Sequence, residues 1–249
     1  MKLSNRDIWK FLFLFVYLLK ILKRIKMKDF NKFANSKGIS STTLYDYQKH
    51  TNGMISPTIV EERQLNVATM DVFSRLMADR IIFLGTGIDS DVANIISSQL
   101  MYLNSVDSDS DIKLFLNTPG GVCDGGLQIY DVMEWVNCDV ATYNMGTSAS
   151  MGSILLSSGK KGKRFALPHS RVMIHQPMGG VPGGTQESDF AIAYEEIKKC
   201  KKELYDILAF NTGKPFEEIE RVGDRDSWFT AQEALDFGLI DEIIRKKNK

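Results

Sequence analysis

Val140-Ala141-Thr142-Tyr143-Asn144-Met145-Gly146-Thr147-Ser148-Ala149-Ser150-Met151-Gly152-Ser153-Ile154-Leu155-Leu156 is the stretch from which the fold is read. The β-branched and aromatic run 140–143 predicts a strand, and 153–156 is apolar and helical in character. Between them the small residues 145–152 sit where a strand should turn into a helix. A serine in the first turn of a helix lies near unpaired backbone N–H groups and the positive end of the helix dipole, which favours developing negative charge. The stretch therefore reads either as the seat of an acyl-transfer nucleophile or as a tightly packed Gly/Ser/Ala turn, and taken alone it leaves both readings standing.

Working outward, the pattern alternates. Upstream, 71–77 predicts a short helix, 80–85 a strand and 89–103 a helix capped by Ser90 or Asp91, with Val92, Ile95, Ile96, Leu100 and Leu103 at helical spacing. Then 112–117 predicts a strand and 125–136 a helix with Leu127, Tyr130, Met133, Trp135 and Val136 on or near its buried side. Downstream, strands at 163–167 and 171–174 are joined by Pro168-His169-Ser170. A long helix over 187–211 carries Phe190, Ala193, Ile197, Cys200, Leu204, Ile207 and Leu208 at i, i+3/i+4 and stops at Gly213 and Pro215. Short helices at 217–222 and 230–237 and a strand at 239–244 close the chain. Strand and helix alternating at this spacing predict an α/β fold of βαβ units on a mostly parallel sheet. Sites in such sheets gather at the carboxyl ends of the strands, where the turns 117–121 and 145–152 both fall.

The chain has 249 residues, 43% hydrophobic and 25% charged, enough for one globular domain plus extensions. Its 31 basic and 31 acidic residues cancel, and no basic cluster lies outside the N-terminus, which argues against nucleic acid as a partner. The glycines of Asn117-Thr118-Pro119-Gly120-Gly121 turn backbone N–H groups outward, as an oxyanion hole or a plain strand-to-helix turn would; no Lys-Ser/Thr follows to make a phosphate loop. Cys123, Cys138 and Cys200 are odd in number, widely spaced and without metal-ligand intervals, so they read as free thiols of a reducing compartment. Of the three histidines, His50 lies in a polar segment without a scaffold and His169 in a turn. His175 ends a strand before Gln176-Pro177 and alone is placed to face a sheet-end site, though a strand-end histidine can be merely structural. The charged residues of 223–228, beside a buried-looking Trp228-Phe229, form a surface ion-pair cluster or include a carboxylate that orients a histidine. Lys198, Lys199, Lys201 and Lys202 read as a solvated helix face.

The N-terminal residues 1–26 differ from the rest. The apolar run 11–19 between Lys10 and Lys20 is shorter than the about 18–20 residues a membrane span needs. It is a short membrane-surface anchor or, the preferred reading, lies upstream of a true start at Met27. Residues 27–55 are expected to be a polar leader or propeptide.

Five motifs in order, DVFSRLMADRIIFLG (71–85), NTPGGV (117–122), MGTSASMG (145–152), GKRFALPHSRVMIHQP (162–177) and RDSWFTAQEALDFG (225–238), resemble those of the proteolytic subunits of the Clp proteases, peptidase family S14. The resemblance runs from about residue 56 to the C-terminus. It implies a ClpP/crotonase-like fold of repeated ββα/βαβ units with a protruding handle helix at about 178–212, within a catalytic domain of 72–249 preceded by an axial entrance segment at 56–71. It implies Ser150 as nucleophile, His175 as general base, a buried Asp226 as orienting carboxylate, and Gly121 and Met151 as oxyanion-hole donors, with Ser148 a decoy. It also implies a serine endopeptidase of broad specificity in the cytoplasm, acting on unfolded proteins inside two stacked heptameric rings. Cofactor and metal are expected to be absent, ATP being consumed by a partner AAA+ unfoldase of the Clp type. Asp224 and Arg225 match positions that pair across the ring interface. Two departures stand out: 178–186 is about two residues longer than is usual and carries Pro182, which implies weaker ring stacking, and Asp124 and Thr147-Ser148 are less usual near the site.

Overall fold

The structure, a computed structural model, describes residues 58–63 and 66–246. The expected extension 1–26, the leader 27–55 and His50 lie outside the described residues. Within 56–71, strands β1 (Thr58–Arg63) and β2 (Asn66–Asp71) pair antiparallel. The chain then runs α1 (Val72–Ala78), β3 (Ile81–Leu84), α2 (Ser90–Val106), β4 (Ile112–Thr118), α3 (Cys123–Trp135), β5 (Val140–Ala149) and α4 (Met151–Ser157). It continues through β6 (Arg164–Ala166), β7 (Arg171–Ile174), α5 (Glu187–Thr212), α6 (Phe216–Gly223), β8 (Ser227–Thr230), α7 (Ala231–Phe237) and β9 (Glu242–Ile243).

Strands β3-β4-β5-β6-β9 lie side by side and are parallel throughout, as the alternating pattern predicts. The sheet is buried on one face by Ile112, Leu114 and Leu116 of β4, against which α2 and α3 set Leu100, Leu103, Ile129 and Met133. On the other face Phe115, Tyr143 and Phe165 occupy paired positions on β4, β5 and β6 and stack at 4.5 and 4.8 Å between centroids.

The organising strand is β5, and it is longer than expected. Residues 145–149, read from sequence as a turn, continue the strand, and the chain turns only at Ser150. The first half of β5 pairs with β6 and the second with β7, which in turn pairs antiparallel with β8. The change of partner falls at Gly146, where the β4–β5 register shifts and the Asn117 side chain accepts a hydrogen bond from the Thr147 amide at 3.1 Å. A Cβ on Gly146 would lie 2.5 Å from that Asn117 oxygen, so the small residue makes room for the switch. One strand thus carries the chain from the main sheet to the β7–β8 pair.

Other expectations need correcting. The N-cap of α2 is Asp89, not Ser90 or Asp91; its carboxylate accepts from the Val92 amide at 2.8 Å. Helix α3 buries Gly125, Gly126, Ile129 and Met133, and Trp135, two residues past Met133 on a 3.6-residue turn, is 66% exposed. Trp228 is also exposed, because β8 is paired on one side only. The apolar stripe of α5 is buried only toward its C-terminal end, at Leu204, Tyr205 and Leu208, while Phe190, Ile192 and Tyr194 face outward. The closing strand shrinks to β9, whose neighbour Asp241 forms a bidentate ion pair with the buried Arg164, at 2.8 and 2.6 Å.

Candidate active site

Ser150 sits at the junction of β5 and α4 with φ 53° and ψ −123°. A non-glycine residue in so sparsely populated a conformation costs about 1–3 kcal/mol and persists only where its surroundings over-determine it. Here its N–H donates to the Met173 carbonyl at 2.9 Å, and its own carbonyl accepts from the amide and hydroxyl of Ser153 at 2.9 and 2.7 Å. Gly120, at φ +89°, presses on the same turn; a Cβ there would lie 2.6 Å from both the Ala149 carbonyl oxygen and Ser150 Cβ. The strained serine thereby stands clear of its own strand, with only its hydroxyl free to engage a neighbour.

That neighbour is His175. The β7–β8 register pairs Ile174 with Ser227, so the residues just outside this pair, His175 and Asp226, come together. His175 Nε2 lies 2.9 Å from Ser150 Oγ, and Nδ1 lies 3.0 Å from Asp226 Oδ1. With Nδ1–H donating to the carboxylate, Nε2 is left as acceptor for the serine hydroxyl. The Asp226 side chain is 64% exposed in the single chain, which corrects the expectation of a buried carboxylate, whereas His175 is 11% exposed.

The segment carrying Asp226 is tied down by contacts that the sequence reading missed. Tyr205 of α5 donates to the Gly223 carbonyl at 2.8 Å, Ser227 Oγ to the Val222 carbonyl at 2.6 Å, and Gln176 Nε2 to the Asp224 carbonyl at 2.7 Å. Burial pushes the Tyr205 phenol up to about 12, so it remains a donor at neutral pH. The clue in sequence was faint: Tyr205 adjoins Leu204 on the buried face, but nothing local marks Gly223 as its partner.

Gly121 is locked beside Ile88, whose N–H donates to the Gly120 carbonyl and whose carbonyl accepts from the Val122 amide, each at 2.8 Å. A Cβ on Gly121 would meet the Ile88 carbonyl oxygen at 2.0 Å. Among the described residues neither the Gly121 amide nor the Met151 amide, first in α4, donates to a backbone or side-chain acceptor. A Cβ on Gly120 would lie 3.0 Å from the Met151 nitrogen, so the glycine turn and the start of α4 are adjacent.

A small, mainly apolar cleft opens beside Ser150 and His175, walled by Cys123, Ile154, Ile174, Pro177, Leu204 and Leu208. Ser148 is not part of it: it is wholly buried in β5 between Thr118 and Val172, and its hydroxyl has no hydrogen-bond partner among the described residues. His169 stays in an exposed turn. Arg225 and Asp224 are exposed and meet within this one chain, Nη1 to the Asp224 carbonyl at 2.9 Å. No group of three or more His, Cys, Asp or Glu suited to a metal ion occurs among the described residues.

Residues 63–247 match the family model described as Clp protease. The chain belongs to the Clp protease family. An ATP-dependent Clp protease proteolytic subunit from Porphyromonas gingivalis is 56% identical over 224 residues, spanning 90% of this chain and the whole of that relative. One from Bacteroides fragilis is 54% identical over 222 residues, again over its whole length and 89% of this chain. Proteolytic subunit 2 from Corynebacterium glutamicum is 52% identical over 174 residues, 70% of this chain and 86% of its own. The chain is accordingly a serine peptidase of the Clp type with the mixed α/β fold of its family. Among the described residues of this Clp protease chain, no helix is long and apolar enough to cross a membrane.

Proposed function

We propose that Ser150, His175 and Asp226 are the catalytic residues of this Clp peptidase. The reading is carried by the continuous hydrogen-bonded relay from Ser150 Oγ through the imidazole to Asp226, at 2.9 and 3.0 Å. In the acylation step His175 Nε2 takes the hydroxyl proton as Ser150 Oγ attacks the scissile carbonyl carbon, and then returns that proton to the departing amine. Asp226 holds the tautomer that makes Nε2 a base and stabilises the imidazolium. The oxyanion is received by the Gly121 and Met151 amides, where loss of one such donor costs about 2.7–4 kcal/mol of transition-state stabilisation. Water then repeats the sequence on the acyl-enzyme.

Around this site the proposal extends to the assembly: 56–71 as axial entrance, 178–212 as handle, and heptameric rings stacked into a tetradecamer. Unfolded proteins are delivered by an AAA+ Clp unfoldase that spends ATP outside this chain, in the service of protein quality control in the cytoplasm. Supporting this, the relatives named above are ATP-dependent Clp protease proteolytic subunits. The test is labelling of the intact protein with a fluorophosphonate, read by intact mass. Wild type should gain one adduct per chain and Ser150→Ala none; an adduct on the Ser150→Ala protein would overturn the assignment.

A further inference from the structure

The cleft beside Ser150 is lined by a thiol that has no part in the Ser150–His175–Asp226 relay. Cys123 lines it, as the first residue of the 13-residue helix α3. Leu204 and Leu208 of α5 line the same cleft, and Cys200 lies one helical turn before Leu204 on the same face of α5. A further turn earlier the packing persists, since a Cβ on Gly179 would meet Ile197 Cδ1 at 2.8 Å. Both thiols are half-buried against the hydrophobic core and are free. After burial, the Cys123 side chain is the strongest influence on the Cys200 thiol. Two cysteines 77 positions apart (200 − 123) are thus neighbours where α5 and the start of α3 share the cleft wall.

We infer that Cys123 and Cys200 are a dithiol modification site that takes a low-molecular-weight disulfide as oxidant and closes to an intrachain disulfide joining α3 to α5. Cys123 is the attacking thiol, because it lines the open cleft, through which a small disulfide can reach it. Its thiolate attacks one sulfur of the small disulfide, forming a mixed disulfide and expelling one small thiolate. Cys200 then loses its proton to water and attacks the Cys123 sulfur, expelling the second small thiolate. Two protein thiols are oxidised by two electrons and one small disulfide is reduced to two thiols.

The order of attack also follows from the surroundings of Cys200. Burial first, then the charge and hydrogen bonding of Cys123, push its thiol up to about 12, so it is the poorer initial nucleophile. Cys200, the neighbour of the capped Cys123, is the thiol placed to resolve the adduct. Cys138 supplies an internal control: it is buried, and Arg80 donates to its sulfur at 3.2 Å.

The experiment treats the intact wild-type protein with oxidised glutathione, blocks remaining thiols after denaturation, and maps disulfides by peptide mass spectrometry. A Cys123–Cys200 linked peptide within one chain, with Cys138 still free, is expected, and Cys200→Ser should instead retain one glutathione on Cys123. Free thiols at both positions, a stable glutathione adduct on wild-type Cys123, or linkage between different chains would each overturn the inference. The mapping is independent of the roles proposed for Ser150 and His175. Because the bond draws α5 onto the cleft wall, closure should also slow hydrolysis of a fluorogenic peptide severalfold, reversibly with dithiothreitol and not in Cys200→Ser. Unchanged hydrolysis by fully cross-linked protein would overturn that coupling alone.

Discussion

At the scale of single residues, two serines two positions apart have opposite fates, and their environments say why. Ser148 lies inside a strand paired on both sides, its hydroxyl buried without a partner among the described residues. An unsatisfied buried polar group costs about 1–3 kcal/mol, so Ser148→Ala is expected to leave fluorophosphonate labelling intact and to raise the denaturation midpoint slightly. A loss of labelling would mean that the Ser148 hydroxyl has a role its packing hides. The relay makes a second, graded prediction. His175→Ala removes the base and should lower kcat by about 10²–10⁴-fold, the usual contribution of a positioned general base. Asp226, at 64% exposed, stabilises the imidazolium through a solvent-screened interaction, so Asp226→Ala should cost less than His175→Ala when kcat is measured for both on one peptide. Equal losses would show that the carboxylate is as necessary as the base despite its exposure.

Among the elements, β5 and the glycine turn after β4 do the positioning, and they mark the limits of what sequence conveys. Gly120→Ala places a methyl 2.6 Å from the Ala149 carbonyl and Ser150 Cβ while forcing a φ of +89° on an L-residue. Neither neighbour is a flexible side-chain end, so the turn holding Ser150 must shift. Overpacking of this kind costs about 1–3 kcal/mol in stability, yet the expected loss in labelling rate is larger than that cost alone implies, because the displaced atoms are those of the nucleophile's own turn. Thermal denaturation beside labelling kinetics separates the two effects. The strand–helix alternation, the parallel sheet and the candidate triad were legible, since periodicity and five ordered motifs carry them. The continuation of β5 through 145–149 was not, because Gly146, Ser148 and Ala149 carry little strand preference and the register switch is set by Asn117 on another strand. Trp135 and Trp228 misled for a related reason: bulk and apolarity predict burial, but the side of a helix or edge strand they occupy is decided by packing partners distant in sequence. Nor could sequence place Cys123 beside α5, since the cleft they share forms only in the fold.

Across the described fold, a buried ion pair ties β6 to the closing strand, and α5 carries exposed apolar side chains. Arg164, 1% exposed, ties β6 to Asp241 beside β9 and also donates to the carbonyls of Ser157 and Asn211. Burial alone would raise the Asp241 carboxyl, but the hydrogen bonds and charge of Arg164, with the Gly162 and Arg164 amides, outweigh it and hold the group at about 2, below its ordinary 3.8. A folded-state value depressed in this way contributes stability that is fully present above 3.8 and is lost as pH falls toward 2. Asp241→Asn should therefore lower stability at neutral pH by about 3 kcal/mol, the cost of stranding a buried charge, and flatten the acid limb of a denaturation curve below pH 4. Those side chains lie in the first half of α5, where Phe190, Ile192 and Tyr194 are exposed next to a segment, 176–186, that forms no strand. Pro182 within it cannot donate to a ladder between chains. If this handle joins two rings as proposed, apolar contact between facing α5 helices must supply the adhesion that a backbone ladder would otherwise share. Stacking should then be weak enough for tetradecamers to part into single rings on dilution at moderate salt in sedimentation velocity, and Phe190→Glu should complete the separation while leaving each ring intact. A wild-type double ring that persists through that dilution would show that 178–186 orders into a strand on assembly despite its proline.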